Sequence, residues 1–277
     1  MKKIAFLLFL FTFIFGFSQT HRFIYELHLK RDSTKNKRDS AKMVLDVNKD
    51  EVRFYDMDFL RIDSIRKNKN QNWTMNTQTH QLLKRKLGSS ENLNYRDNLF
   101  DYYLIESKDE MKWKIFPETK KVTDYQLQKA ETDFGGRHWI VWFCSEIPIN
   151  EGPYKFRGLP GLIFEVEDSK NDYSYKLINS KKLEKDFDTT DFLETHYGKN
   201  PVKITNEQLN KIKLNYYIDP YVWAKNSADG EWSVNFGDGK EYNKKEDIPY
   251  LTKRAQEELR RDNNPIELDK AVKYPLK

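Results

Sequence analysis

Phe134-Gly135-Gly136-Arg137-His138-Trp139-Ile140-Val141-Trp142-Phe143-Cys144 is the stretch on which the fold turns. Gly135 and Gly136 supply the two positive φ angles that a two-residue hairpin turn requires, so residues 122–134 and 137–144 are predicted as paired antiparallel strands. Trp139 and Val141 alternate with Ile140 and Trp142, which makes the second strand apolar on both sides. Such a strand belongs in the middle of a structure.

Outward from this hairpin, residues 162–168 and 173–180 form a second one across Ser169, Lys170, Asn171 and Asp172, and residues 99–107 with 111–116 form another across Lys108, Asp109 and Glu110. Toward the N-terminus, residues 20–29 set Phe23, Tyr25, Leu27 and Leu29 against Arg22, Ile24, Glu26 and His28, the period of a strand. Residues 43–47 and 51–55 are two more strands joined by Asn48, Lys49 and Asp50. Phe59, Ile62 and Ile65 at three-residue spacing favour a short helix over 57–67. The polar run 67–90 reads as an irregular excursion with one helical turn at 81–86.

The last third changes character. Thr205 can cap a helix over 206–216, and residues 248–261 form a charged helix with the stripe Leu251, Ala255, Leu259. Asp229-Gly230 and Asp238-Gly239 punctuate a turn-rich region around Trp232 and Phe236. The pattern predicts an α+β fold built on a mainly antiparallel, curved β-sheet, a meander or half-barrel, with helices in the C-terminal third. An aromatic share of 14% agrees with a β-rich core.

The chain begins with Lys2 and Lys3, an apolar run over 4–15, and small residues Gly16 and Ser18 before Gln19, the order of a cleaved export signal. The run is shorter than the ~20 residues that span a bilayer, and polar residues follow at once, so no stable membrane insertion is expected. Cys144, the one cysteine of the 277 residues, is far from the cut, which argues against a lipoprotein and against an internal disulfide. A leader over 1–18 and a single β-rich domain over 19–277, exported to the periplasm or beyond, are therefore expected. The net charge of +5 falls to +3 once Lys2 and Lys3 leave, too slight for a nucleic-acid partner.

His21, His28, His80, His138 and His196 lack metal-ligand spacing, and no Gly-x-Ser-x-Gly elbow, phosphate loop or cofactor motif is present, so catalytic residues, metal and cofactor are all expected to be none. The candidate ligand-binding residues are Arg137, Trp139, Trp142, Tyr154 and Arg157, with Lys155 and Phe156 beside them. Cations among aromatics suit an anionic or aromatic ligand through ion pairs and cation–π contact. The competing reading has the aromatics filling the core and the basic groups pairing with Glu146, Glu151, Glu165 or Glu167. In Gly158-Leu159-Pro160-Gly161-Leu162-Ile163, Pro160 fixes its φ and Gly161 tolerates a positive one, which suits a type II turn entering a strand.

Trp113-Lys114-Ile115, Gly136-Arg137-His138-Trp139, Ile147-Pro148-Ile149, the GLPGLI of residues 158–163 and Asn264-Pro265-Ile266-Glu267-Leu268 carry a resemblance. In these segments the chain resembles the GLPGLI family, exported proteins of Bacteroidota-type bacteria also known under a Porphyromonas-derived name. The resemblance is close over 113–168 and loose elsewhere. It departs at Leu127, where members often carry a cysteine. The resemblance carries no established activity, and the expected function, read from the whole chain, is an exported, non-catalytic binding or accessory protein of the cell envelope, working beside an outer-membrane uptake or assembly system and partnered by an envelope protein. The alternative is a secreted hydrolase of peptides or glycans whose carboxylates spacing does not reveal.

Overall fold

The structure is a computed structural model that describes residues 20–69, 71–98, 101–237 and 239–275; the expected leader over 1–18 lies outside them. The alternation near the N-terminus becomes β1 (Thr20–Leu29), followed by β2 (Asp39–Val47) and β3 (Glu51–Asp56). Asn48 closes the turn between the latter two, its side-chain oxygen accepting from the backbone N–H groups of Asp50 and Glu51 at 2.8 and 2.7 Å. After α1 (Asp58–Lys69) come β4 (Leu82–Lys86), β5 (Glu91–Asn98) and β6 (Asp101–Lys108). A second run comprises β7 (Lys114–Val122), β8 (Tyr125–Phe134), β9 (Arg137–Cys144), β10 (Leu162–Asp168) and β11 (Tyr173–Leu183), and the short β12 (Val202–Lys203) follows.

These form one 12-stranded open sheet in the order β12-β6-β5-β4-β3-β2-β1-β11-β10-β9-β8-β7. Every pairing is antiparallel except the two-residue parallel contact of β12 with β6. Two meanders thus flank β1, which pairs with β2 on one side and β11 on the other. The glycine hairpin forms as the sequence predicts: Gly135 and Gly136 have φ of 64° and 75°, and Phe134 faces Arg137 across the turn.

Residues 99–107 and 111–116 do not form the predicted hairpin. β6 turns back along β5, with Glu91 opposite Lys108, while β7 pairs with β8 at the other end of the strand order. Residues 109–113 bridge the two ends, a stretch that reaches at most about 20 Å. Those ends lie ten strands apart in the sheet order.

The excursion predicted over 67–90 is also corrected, because residues 82–86 are the central strand β4 and residues 91–98 are the unpredicted β5. Both strands put polar side chains on the inner face, where Arg85, Asn92 and Asn94 are buried. Arg85 is accommodated by Glu151 and Tyr154, far away in sequence, and Asn92 and Asn94 by Asp109, Ile105 and Ser107 on or just past β6; alternation of hydrophobicity reveals neither.

Among the described residues the outer face is covered on one half. Phe59 of α1, with Phe192 and Leu193 from a turn at Thr190–Glu194, packs on Val44, Tyr55, Leu82, Tyr95 and Tyr102. β9 lies beyond that cover, so its Ile140 and Trp142 are only half-buried and the strand is not enclosed on both sides as expected. Lys120 Nζ lies 4.3 Å over the Trp142 ring instead.

The C-terminal third supplies α2 (Asn206–Ile218), α3 (Val222–Lys225), a ribbon of β13 (Val234–Asn235) and β14 (Glu241–Tyr242), and α4 (Ile248–Arg261). Thr205 caps α2 reciprocally with Gln208, the two bonds measuring 3.2 and 2.8 Å. Tyr221, Ala224, Trp232, Ile248 and Leu251 form a small core of their own. Among the described residues no helix is long and apolar enough to cross a membrane.

Candidate functional site

Residues 145–161 leave the sheet between β9 and β10 and lie against its inner face. Phe156 stands edge-on to Trp139, with ring centres 4.7 Å apart, and Tyr154 packs near Phe54; all four are buried. The exit from this loop is tighter than a type II turn. Gly161 N–H donates to the Leu159 carbonyl at 2.8 Å, a three-residue turn about Pro160. A Cβ on Gly161 would fall into the Cys144 carbonyl, so this glycine lets two backbones touch.

The loop carries charges that find partners from the far half of the sheet. Arg85, fully buried on β4, pairs with Glu151 and donates to the Tyr154 carbonyl at 3.0 Å. Burial pulls the Arg85 pKa down against the pull of Glu151. Lys155 Nζ meets Glu267 at 2.8 Å and Asp109 at 2.9 Å, and Tyr154 donates to Glu267 at 2.6 Å. Burial by itself would raise the Glu267 carboxyl, but Lys155 and Lys270 hold it at about 2. Burial also lowers the Lys155 ammonium, a desolvation cost that offsets part of what the pair contributes.

Arg137 is the hub of the other cluster. It donates to Asp168 at 3.0 Å, Asp172 at 3.2 Å, the Asn264 side chain at 2.6 Å, and the carbonyls of Pro265 and Ile266 at 2.8 and 3.0 Å. The Asn264–Glu267 strap, distant in sequence, is thereby bound to the central segment. A Cβ at Gly136 would lie 2.9 Å from the Asp269 nitrogen, so the hairpin turn itself is a seat for the strap.

The candidate residues divide between these settings. Arg137, Trp139 and Tyr154 are buried on the inner side, with Trp139 Nε1 donating to the Phe134 carbonyl at 2.9 Å. Arg157 lies 3.6 Å from Glu151, and Trp142 faces the outer side with Lys120. Only Tyr154 of the five lines the cavity described next.

That cavity, of about 540 Å³, lies between the inner face of β5 and β6, one face of α2, the end of α4 and the C-terminal strap. Asn206, Leu209, Asn210, Lys213 and Tyr216 of α2 line it, a spacing of three and four that defines one helix face. Opposite stands Arg96 of β5, which donates to its neighbouring Tyr95 carbonyl at 2.8 Å and to the Tyr154 hydroxyl at 3.3 Å. The other charges along the wall have partners: Lys155 and Lys270 at Glu267, Arg31 at Asp39 at 2.7 Å, His80 near Asp97 at 3.5 Å, Glu258 at Arg254 at 3.7 Å, and Asp262 at Arg261 at 2.8 Å. Among the described residues no carboxylate lies within ion-pair distance of Arg96 or Lys213. Burial, and then the Arg96 guanidinium, bring the Lys213 ammonium down to about 8.

Sequence reasoning missed Arg96 because β5 was not foreseen. Lys213 left a usable signal: a lysine four residues after Leu209 and three before Tyr216, on the face that packs toward the sheet.

Residues 136–165 match a family described as "Protein of unknown function (Porph_ging)", which supports a Porphyromonas-type family for this segment. The match covers the hairpin turn, β9, the loop and the first residues of β10. Among curated proteins none matches the chain. Two solved structures of PNGF-II, from different crystal forms, are similar at 16% and 15% identity, over 70% and 80% of this chain and 32% and 37% of theirs, with TM-scores of 0.49 and 0.48. The chain thus spans about a third of the length of those structures.

Proposed function

We propose that this is an exported, non-catalytic binding protein of the bacterial cell envelope, of the GLPGLI group within that Porphyromonas-type family, and that its ligand occupies the cavity under α2 and α4. The observation that carries the reading is the cavity of about 540 Å³, within the range of small-molecule sites, walled by the sheet, two helices and the strap. Its carboxylates support binding over hydrolysis, since Glu267, Glu258 and Asp262 each pair with a cation and Asp97 accepts from the Thr77 backbone N–H. A half-barrel form of the sheet belongs to the same proposal: the two ends joined by residues 109–113 and the loop packed between the halves support it. Export rests on the leader-like sequence of residues 1–18, and work beside an outer-membrane uptake or assembly partner is an extension of that reading.

Native mass spectrometry of the mature chain, mixed with the small-molecule fraction of a Bacteroidota cell envelope, tests the reading. The expected result is a bound species, recovered chemically unchanged and lost when Asn210→Trp fills the cavity. Recovery of a cleaved product would favour the hydrolase reading, and no retained species would remove the binding one.

A further inference from the structure

The cavity wall carries an imbalance of charge, and the ligand's chemistry follows from it. Lys213 is partly buried on α2 and faces Arg96 from the sheet. Two cations held together without an anion repel each other, and each loses hydration. Elsewhere on the inner face the chain compensates such groups carefully, as at Arg85, Arg137 and Lys155. Around this pair it offers side-chain amides that have no hydrogen-bond partner among the described residues. Asn206 and Asn210 lie on the same helix face, and Asn98 ends β5 beside them. A side-chain amide both donates and accepts, which suits hydroxyl groups, and Tyr216 adds an aromatic face.

Resting on the proposed binding role of this cavity, we infer that its ligand is a small hydroxylated organic anion, such as a sugar acid or sugar phosphate, whose negative group is clamped between Arg96 and Lys213. The carboxylate or phosphate supplies the charge that the wall lacks, in charge-assisted hydrogen bonds that are stronger than neutral ones. The hydroxylated body meets the asparagines. The lowered Lys213 pKa agrees with this arrangement, since an arriving anion would restore the ammonium to its ordinary range.

Isothermal titration with glucuronate, glucose 6-phosphate and glucose tests the inference on the mature chain, with Lys213→Met and Arg96→Gln as variants. At least one of the two anions is expected to bind about tenfold or more tightly than glucose, and which one does so separates a carboxylate from a phosphate ligand. Lys213→Met should reduce that affinity by about tenfold or more while leaving the circular dichroism and thermal transition cooperative. Arg96→Gln should do the same, and Lys213→Met carries the test if loss of the Tyr154 contact unfolds it. Glucose binding as well as the anions, or anion binding unchanged in both variants, overturns the inference. So does failure of all three sugars at millimolar concentration. The native mass spectrometry above then judges the binding role separately, because it requires no assumption about charge.

Discussion

Two groups of cations share the inner face of this sheet, and they live under different rules. Around the strap, Arg137 reaches two aspartates and three further acceptors, and Lys155 sits between Glu267 and Asp109. Across the cavity, Arg96 and Lys213 stand opposite one another, with no carboxylate in ion-pair reach among the described residues. A buried charge without a partner costs several kcal/mol, so folding by itself favours only the first kind. The contrast separates side chains that hold the molecule together from side chains that the proposed ligand would pair.

Breaking the paired side should have the largest effect. Arg137→Met leaves Asp168 buried without its cation and Asp172 with Lys30 alone, at 3.6 Å, and is expected to cost about 3–5 kcal/mol, read as a drop in the urea midpoint at constant slope. Adding Asp168→Asn should recover part of that loss. A loss near zero would mean that contacts independent of Arg137, such as the Tyr173 hydroxyl donating to the Asn264 carbonyl at 2.8 Å, hold the strap and that pairing is incidental.

Glu267 sharpens the same side through pH. Its folded carboxyl titrates at about 2 against an ordinary 4.5, so its stabilisation is present above about 4.5 and is lost as pH falls toward 2. Glu267→Gln should therefore cost about 2 kcal/mol at neutral pH, the full shift being discounted for the lowered Lys155. Urea unfolding at successive pH values should show the two curves converging between pH 4.5 and 2. Parallel curves would sink the pairing argument.

On the other side the sign reverses. Lys213 titrates at about 8 when folded against an ordinary 10.5, so between those values the unfolded chain binds more protons and wild-type stability rises with pH. Lys213→Met should stabilise the ligand-free chain by about 1 kcal/mol below pH 8, with the gain fading toward pH 10.5. A destabilised variant would put Lys213 with the structural cations and collapse the comparison. The smallest effect belongs to the outer face, where Lys120→Ala removes a partly exposed contact with Trp142 and Glu165 and should cost roughly 0.5 kcal/mol.

Legibility of the chain follows the same divide. The glycine hairpin, β10 with β11, the cap at Thr205 and the helix 248–261 are written in local pattern, and each forms nearly where expected. β4 and β5 were hidden because Lys84, Arg85, Asn92 and Asn94 break the apolar alternation of a strand. The expected pairing of basic groups with nearby glutamates holds for Arg157 with Glu151, whereas Arg137 and Lys155 choose Asp168, Asp172, Asp109 and Glu267. Of the cavity, Tyr154 and the helix carrying Lys213 were in view, but Arg96 was not.

By itself the sequence determined what short range decides: where turns must fall, because only glycine relaxes at positive φ, and which runs alternate or wind. It also put Gly136, Arg137 and the Asn264–Glu267 segment on the page as distinctive. Only the tertiary structure decided that these meet, that β6 and β7 belong to opposite ends of the sheet, and that Arg96 faces Lys213 across a cavity. Such decisions depend on the energy of charges and backbones brought together from distant parts of the chain, a quantity that no local window of sequence contains.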